Sequence, residues 1–141
     1  MRKTLNILEK KKIINRIRGI LLKRKEIEFS ILFGSFLQEL PFKDIDVGIF
    51  LNKDYLKKIN KIDYIIDLDI YIEDRIKGFN FDIVILNELN SSFLYHVFKE
   101  GKLLFARDKE KYYNYIIYII EDYLDYKEYR DLLIKELKNT I

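Results

Sequence analysis

Cysteine is absent from the 141 residues, which removes disulfide frameworks, thiol nucleophiles and thiolate metal sites together. A single histidine, His96, excludes a multi-histidine metal cage and leaves carboxylates as the abundant candidate metal ligands. With one proline and five glycines, no linker, repeat or low-complexity tract divides the chain, so one domain over residues 1–141 is expected. No apolar run reaches the roughly 18 residues of a membrane span. The opening MRKTLNILEKKK has no signal-peptide stretch, and a cytoplasmic domain with no membrane partner is the expectation. A strong excess of one charge is lacking too. Lysine and arginine number 26 against 23 aspartates and glutamates, and a net +3 is too mild to imply direct nucleic-acid binding.

What the chain does have is apolar content, 49% of residues, enough to bury a core, beneath a surface drawn from 35% charged residues. From Leu5 to Lys25, Ile13, Ile14, Ile17, Ile20 and Leu21 recur at helical spacing, and the basic Lys10, Lys11, Lys12, Arg16 and Lys23 read as a solvated face. EIEFSILFG (26–34) and DIDVGIFLN (44–52) read as strands joined by a turn or short helical link around Pro41. A helix is expected over 54–77, with Leu56, Ile59, Ile62, Ile66, Ile70 and Ile76 on its apolar side and Gly78 as its stop. A third strand (80–87), a short helix (91–100), a fourth strand (102–107) and a C-terminal helix (108–137) complete the order. The pattern argues an α+β fold, a small mixed sheet packed with helices, its core over residues 26–107. The last helix is apolar or aromatic nearly all round from Tyr112 to Ile120, which suits a partner interface, a second copy of the chain included.

The stretch that carries chemistry is FGSFLQELPFKDIDVGIF (33–50). Gly34 and Ser35 close the first strand and open a short helical turn, where a glycine lets a ligand approach the backbone and a serine hydroxyl adds a donor to a phosphate oxygen. Asp44 and Asp46, two apart at a strand start, project from the same face. Asp82 opens the third strand and can join them if strands two and three are neighbours. Clustered carboxylates repel one another unless a cation lies between them, and with Mg²⁺ they become a hard-oxygen site for nucleotide phosphates. A phosphate-gripping turn beside such a site suits in-line nucleotidyl or phosphoryl transfer, with one carboxylate taking the proton of the attacking hydroxyl. A second acidic set, Asp63, Asp67, Asp69 and Asp74, falls in a helical pattern where i and i+2 diverge, and reads as a solvated face irrelevant to the chemistry. His96, alone on a helix, reads as a packed or exposed residue and not as a general base.

The ordered set Gly34-Ser35, Asp44-Ile45-Asp46 and Asp82 resembles the signature of the polymerase-β-type nucleotidyltransferase superfamily. Within it, FDIVILNELNSSFLYHVFKEGKLLFARD (81–108) and EDYLDYKEYRDLLIKEL (121–137) are similar to the minimal nucleotidyltransferase group, the MntA-like antitoxins of HEPN/MNT toxin–antitoxin systems. The resemblance runs from about Ile27 to Leu137 and implies the polymerase-β-type fold with a long C-terminal helix. It implies transfer of AMP from ATP, with Mg²⁺, to a tyrosine of a cognate HEPN-type RNase toxin. Asp44, Asp46 and Asp82 would then be catalytic and metal-binding, and Gly34 and Ser35 would hold the ATP. The alternative is an antitoxin of weak or no catalytic activity that neutralises its toxin by binding alone. Here the loop from Ser35 to Asp44 is shorter than is usual in the family, with Phe36 and Leu37 where small residues are common.

Overall fold

A computed structural model describes residues 3–38 and 41–139; Glu39 and Leu40, in the loop between the Gly-Ser turn and the aspartate pair, lie outside the described residues. Helix α1 (Ile7–Leu22) begins at Asn6, whose side chain accepts from the Glu9 amide while the Glu9 carboxylate accepts from the Asn6 amide. That reciprocal cap satisfies two of the donors a helix start leaves unpaired. Its stripe of Ile13, Ile14, Ile17 and Leu21 is buried, as the spacing predicts.

Four strands follow, β1 (Ile27–Phe33), β2 (Asp44–Leu51), β3 (Asn80–Ile85) and β4 (Lys102–Ala106), in the sheet order β3-β2-β1-β4. β1 runs antiparallel to both β2 and β4, while β2 and β3 are parallel. The parallel pair needs a crossover, supplied by α2 (Lys53–Lys58) and α3 (Lys61–Arg75). The tail of the chain adds α4 (Ser91–Glu100) and α5 (Lys109–Asn139).

Alternation along β2 sorts its side chains between two clusters. Ile45, Val47, Ile49 and Leu51 bury against α1 and α3 together with Phe81, Ile83 and Ile85 of β3. On the other face Phe29, Ile31 and Phe50 pack with Leu94, Val97, Tyr112 and Ile119 of α4 and α5. A register shift between Ile27 and Phe29 puts these two residues in opposite clusters although they stand two apart. The buried Ser30 is satisfied by donating to the Gly48 carbonyl at 2.8 Å.

Three expectations need correction. The helix expected over 54–77 is two helices, because the chain turns at Ile59 and Asn60 and the Asn60 side chain caps α3 by accepting from the Asp63 amide. Its buried side is Tyr64, Leu68, Ile72 and Ile76, whereas Ile62, Ile66 and Ile70 are half or more exposed. Both sets recur every four residues, and the phase is settled by the sheet and by the Tyr64 hydroxyl donating to Glu26 at 2.7 Å. Gly78, with φ of 90°, follows in a left-handed conformation three residues beyond the end of α3. Third, Lys10 and Arg16 of α1 are not simply solvated: Lys10 donates to the Phe36 and Gln38 carbonyls and Arg16 to the Arg75 carbonyl.

Candidate active site

β1 ends at Phe33, and Gly34 takes φ 83° and ψ −165°, a conformation that side chains other than glycine adopt at a cost. A β-carbon there would also collide with Asp46 Oδ2, so Gly34 is the residue that lets the turn close on the carboxylate. Ser35 opens a 3₁₀ turn over Ser35–Leu37, closed by the Leu37 amide donating to the Gly34 carbonyl (3.2 Å) and the Gln38 amide to the Ser35 carbonyl (3.0 Å). Phe36 is fully buried, its ring meeting Phe42 edge-on at 4.9 Å. The bulky residue after Ser35 is therefore a core anchor of the turn.

Asp44 and Asp46 begin β2, as the sequence predicts, and both are partly buried. The register sets Asp46 between Phe33 of β1 on one side and Asp82 of β3 on the other, and pairs Asp44 with Asn80. Strands two and three are neighbours, so all three predicted aspartates stand at one end of the sheet, next to Gly34. The electrostatic consequence falls on Asp46. Burial, then the negative charges of Asp82 and Asp44, push its carboxyl up to about 6. Phe33, cross-strand from Asp46, is met edge-on by Phe93 of α4 at 5.9 Å, which gives this end of the sheet an aromatic flank.

The donor set fits a hard divalent cation in kind: three carboxylates, one of them with its carboxyl raised by burial and by the charges of the other two, a repulsion that a cation would relieve. Among the described residues no three His, Cys, Asp or Glu side chains already converge as a cage, so the fit is one of donor chemistry.

Two neighbours escaped the reading of the sequence. Asp69 belongs to a helix, as expected, and diverges from the exposed Asp67, but it does not lie on a solvated face. Its Oδ1 is buried without a hydrogen-bond partner, and burial, the charge and hydrogen bonding of Glu73, and the charge of Asp82 raise its carboxyl to about 6. The signal was the i, i+4 pair Asp69–Glu73 on the helix that leads into the third strand. Lys10 is the other, with its ammonium on the carbonyls just past Ser35. His96 is exposed, with the rings of Tyr95 (5.4 Å) and Tyr123 (6.1 Å) beside it.

Comparison with known proteins agrees with this geometry. The family model described as polymerase beta, nucleotidyltransferase, matches residues 15–110. No curated protein sequence matches the chain. Among solved structures, the chain is similar to one in the complex of a tri-AMPylated Shewanella oneidensis HEPN toxin with MNT antitoxin, at 18% identity and a TM-score of 0.68, covering 92% of this chain and 98% of that one. A toxin–antitoxin complex with AMP-PNP gives 19% identity and a TM-score of 0.68 over 89% and 98%. The MntA–HepT toxin–antitoxin complex gives 17% and 0.66 over 91% and 98%.

Proposed function

Because the chain belongs to the polymerase-β nucleotidyltransferase family, we propose that it is a cytoplasmic antitoxin that transfers AMP from ATP to a tyrosine hydroxyl of a HEPN-type RNase toxin. The observation that carries the reading is the register of β2, which brings Asp46 beside Asp82 while Gly34 abuts its carboxylate. The solved relatives support the substrate and the partner, being a complex with an ATP analogue and a complex with an AMPylated toxin.

In this mechanism the Gly34–Ser35 turn holds the triphosphate, with the Ser35 hydroxyl donating to a phosphate oxygen. Asp44, Asp46 and Asp82 would hold Mg²⁺, which supplies neutralisation of the phosphate charge. The phenolic oxygen of the toxin attacks the α-phosphorus, a new O–P bond forms, and the bond to the β-phosphate oxygen breaks to release pyrophosphate. Asp82, the most exposed of the three carboxylates, faces solvent and takes the phenolic proton.

α5 supplies the surface for the toxin. Its inner side, Tyr112 and Ile119, is buried, yet Tyr118, Tyr126, Tyr129 and Leu137 are each more than 60% exposed. Tyr115, by contrast, packs on Phe29, Phe50 and Phe98 with centroids 4.9–5.9 Å away, so it belongs to the core and is a poor probe of docking. Tyr118→Asp is the informative change, expected to weaken the complex about tenfold or more while the chain stays folded.

The test is to incubate the chain with ATP, Mg²⁺ and the HEPN-domain protein encoded beside it, and to read the intact mass of that protein. A gain of one or more AMP units, lost on replacing the toxin's acceptor tyrosine, supports the proposal. Neutralisation of the toxin with no mass gain, unchanged in Asp44→Ala/Asp46→Ala, would favour the second reading, inhibition by binding, which the exposed face of α5 also suits.

A further inference from the structure

The two described sides of the loop between Ser35 and Asp44 meet one side chain from outside the site. Lys10, the fourth residue of α1, donates from Nζ to the Phe36 carbonyl at 2.7 Å and to the Gln38 carbonyl at 2.6 Å. A three-residue 3₁₀ turn leaves its last carbonyls without partners inside the turn, and the ammonium takes that of Phe36, together with that of Gln38 just past the turn, in charge-assisted bonds. The same Nζ stands 5.3 Å from the Phe36 ring centroid and 5.6 Å from that of Phe42. Phe36 follows Ser35 directly, and Phe42 precedes Asp44 by two residues. Both rings are buried, at 0% and 1% exposure, and they meet edge-on. The Phe42 backbone is further paired with that of Lys3, through bonds of 2.7 and 2.9 Å.

One cation thus ties together the two ends of the loop, the end that carries the Gly-Ser turn and the end that delivers the aspartates. We propose that Lys10 is a positioning residue for the nucleotide: it fixes the Gly34–Ser35 turn against Asp44 and Asp46 so that triphosphate and carboxylates share one geometry. The proposal rests on the nucleotidyltransferase reading above. It also accounts for Phe36 in place of a small residue. A large ring at Phe36 gives the ammonium a face to lie on and the turn a buried root, which a small residue could not supply.

The variant Lys10→Met keeps the length and packing of the stem and deletes the ammonium; Lys10→Arg restores the charge and the donors. The measurements are KM for ATP and kcat in AMP transfer, the dissociation constant for Mg-AMP-PNP, and Tm. Lys10→Met is expected to raise both KM and the dissociation constant by about tenfold, with kcat changed by less than about threefold and Lys10→Arg recovering most of the loss. A residue that only stabilised the fold would lower Tm and leave the nucleotide constants of the folded enzyme alone. Equal Mg-AMP-PNP affinity in parent and Lys10→Met overturns the assignment of Lys10 while leaving the transferase reading standing. A parent that binds no Mg-AMP-PNP overturns both.

Discussion

The two faces of the sheet are built from the same strands and have opposite characters. On the α1/α3 face β2 contributes Ile45, Val47, Ile49 and Leu51, all at 0% exposure, and β3 adds Phe81, Ile83 and Ile85. On the α4/α5 face the alternate positions read Asp46, Gly48 and Phe50 on β2 and Asp82 on β3. That face begins as carboxylates and becomes aromatic core within four residues. One face therefore secures the strands, and the other spends its first positions on charges that burial and mutual repulsion disfavour. The lesson is that the stability of the first face lets the second hold a strained electrostatic arrangement in register.

The largest effect expected from breaking this division is catalytic. Asp44→Ala/Asp46→Ala should lower AMP transfer by at least roughly 10³-fold, since charge stabilisation at the transferring phosphorus is lost. Its metal-free melting temperature should not fall, because the change deletes repelling charges and touches nothing on the apolar face. A calorimetric melt beside a transfer assay checks both halves.

Gly34→Ala attacks the junction of the two faces. The methyl meets Asp46 Oδ2 and the backbone is held at φ 83°, so transfer should fall roughly 10²-fold through misplacement of the carboxylate. Stability should fall by about 1–3 kcal/mol from backbone strain. Denaturant unfolding together with the transfer assay separates the two losses.

The apolar face is tested by two isoleucines of one helix. Ile72→Ala, from a fully buried position, should cost about 2–5 kcal/mol of stability. Ile66→Ala, from a position 50% exposed, should stay within about 0.5 kcal/mol of the parent. Similar costs for both would mean that α3 sits in the other phase.

A smaller effect is a pH dependence at Asp46. Its carboxyl is raised to about 6 in the fold from an ordinary value of 3.8, so the folded state holds the proton more tightly than the unfolded chain does. The stability this provides is present in full below about 3.8 and lost as pH rises through about 6. Without metal, Asp46→Asn should therefore match the parent near pH 3.5 and exceed it at pH 8 by roughly 1–2 kcal/mol, discounted for partial exposure. Urea titrations at the two pH values in chelator provide the check, and added Mg²⁺ should shrink the difference at pH 8.

The order of strands, the Gly-Ser turn and the three aspartates were legible because each is local: a glycine closing a strand, two carboxylates at one pleat phase, a third at the start of the next strand. The phase of α3 was not. Ile62, Ile66 and Ile70 offer as good an apolar stripe as Tyr64, Leu68 and Ile72, and only the packed sheet decides between them. The break at Asn60 was hidden because a capping asparagine between lysine-rich turns looks like helix surface in a one-dimensional pattern. Asp69 and Lys10 were misread for a shared reason. Charged residues on amphipathic helices are usually solvated, but Asp69 is set apart first by burial, then by Glu73 one turn on and by Asp82 of the next strand, and Lys10 by carbonyls 26–28 residues away.

The central claim is that the polar end of the sheet transfers a nucleotidyl group. Its most direct test is a pair of incubations with Mg²⁺ and the HEPN-domain protein, one with ATP labelled at the α-phosphate and one labelled at the γ-phosphate. The account predicts label on the toxin from α-labelled ATP alone, with the γ-label recovered in pyrophosphate and neither transfer nor pyrophosphate release in Asp44→Ala/Asp46→Ala. Label arriving from the γ-position, or from neither, would contradict it.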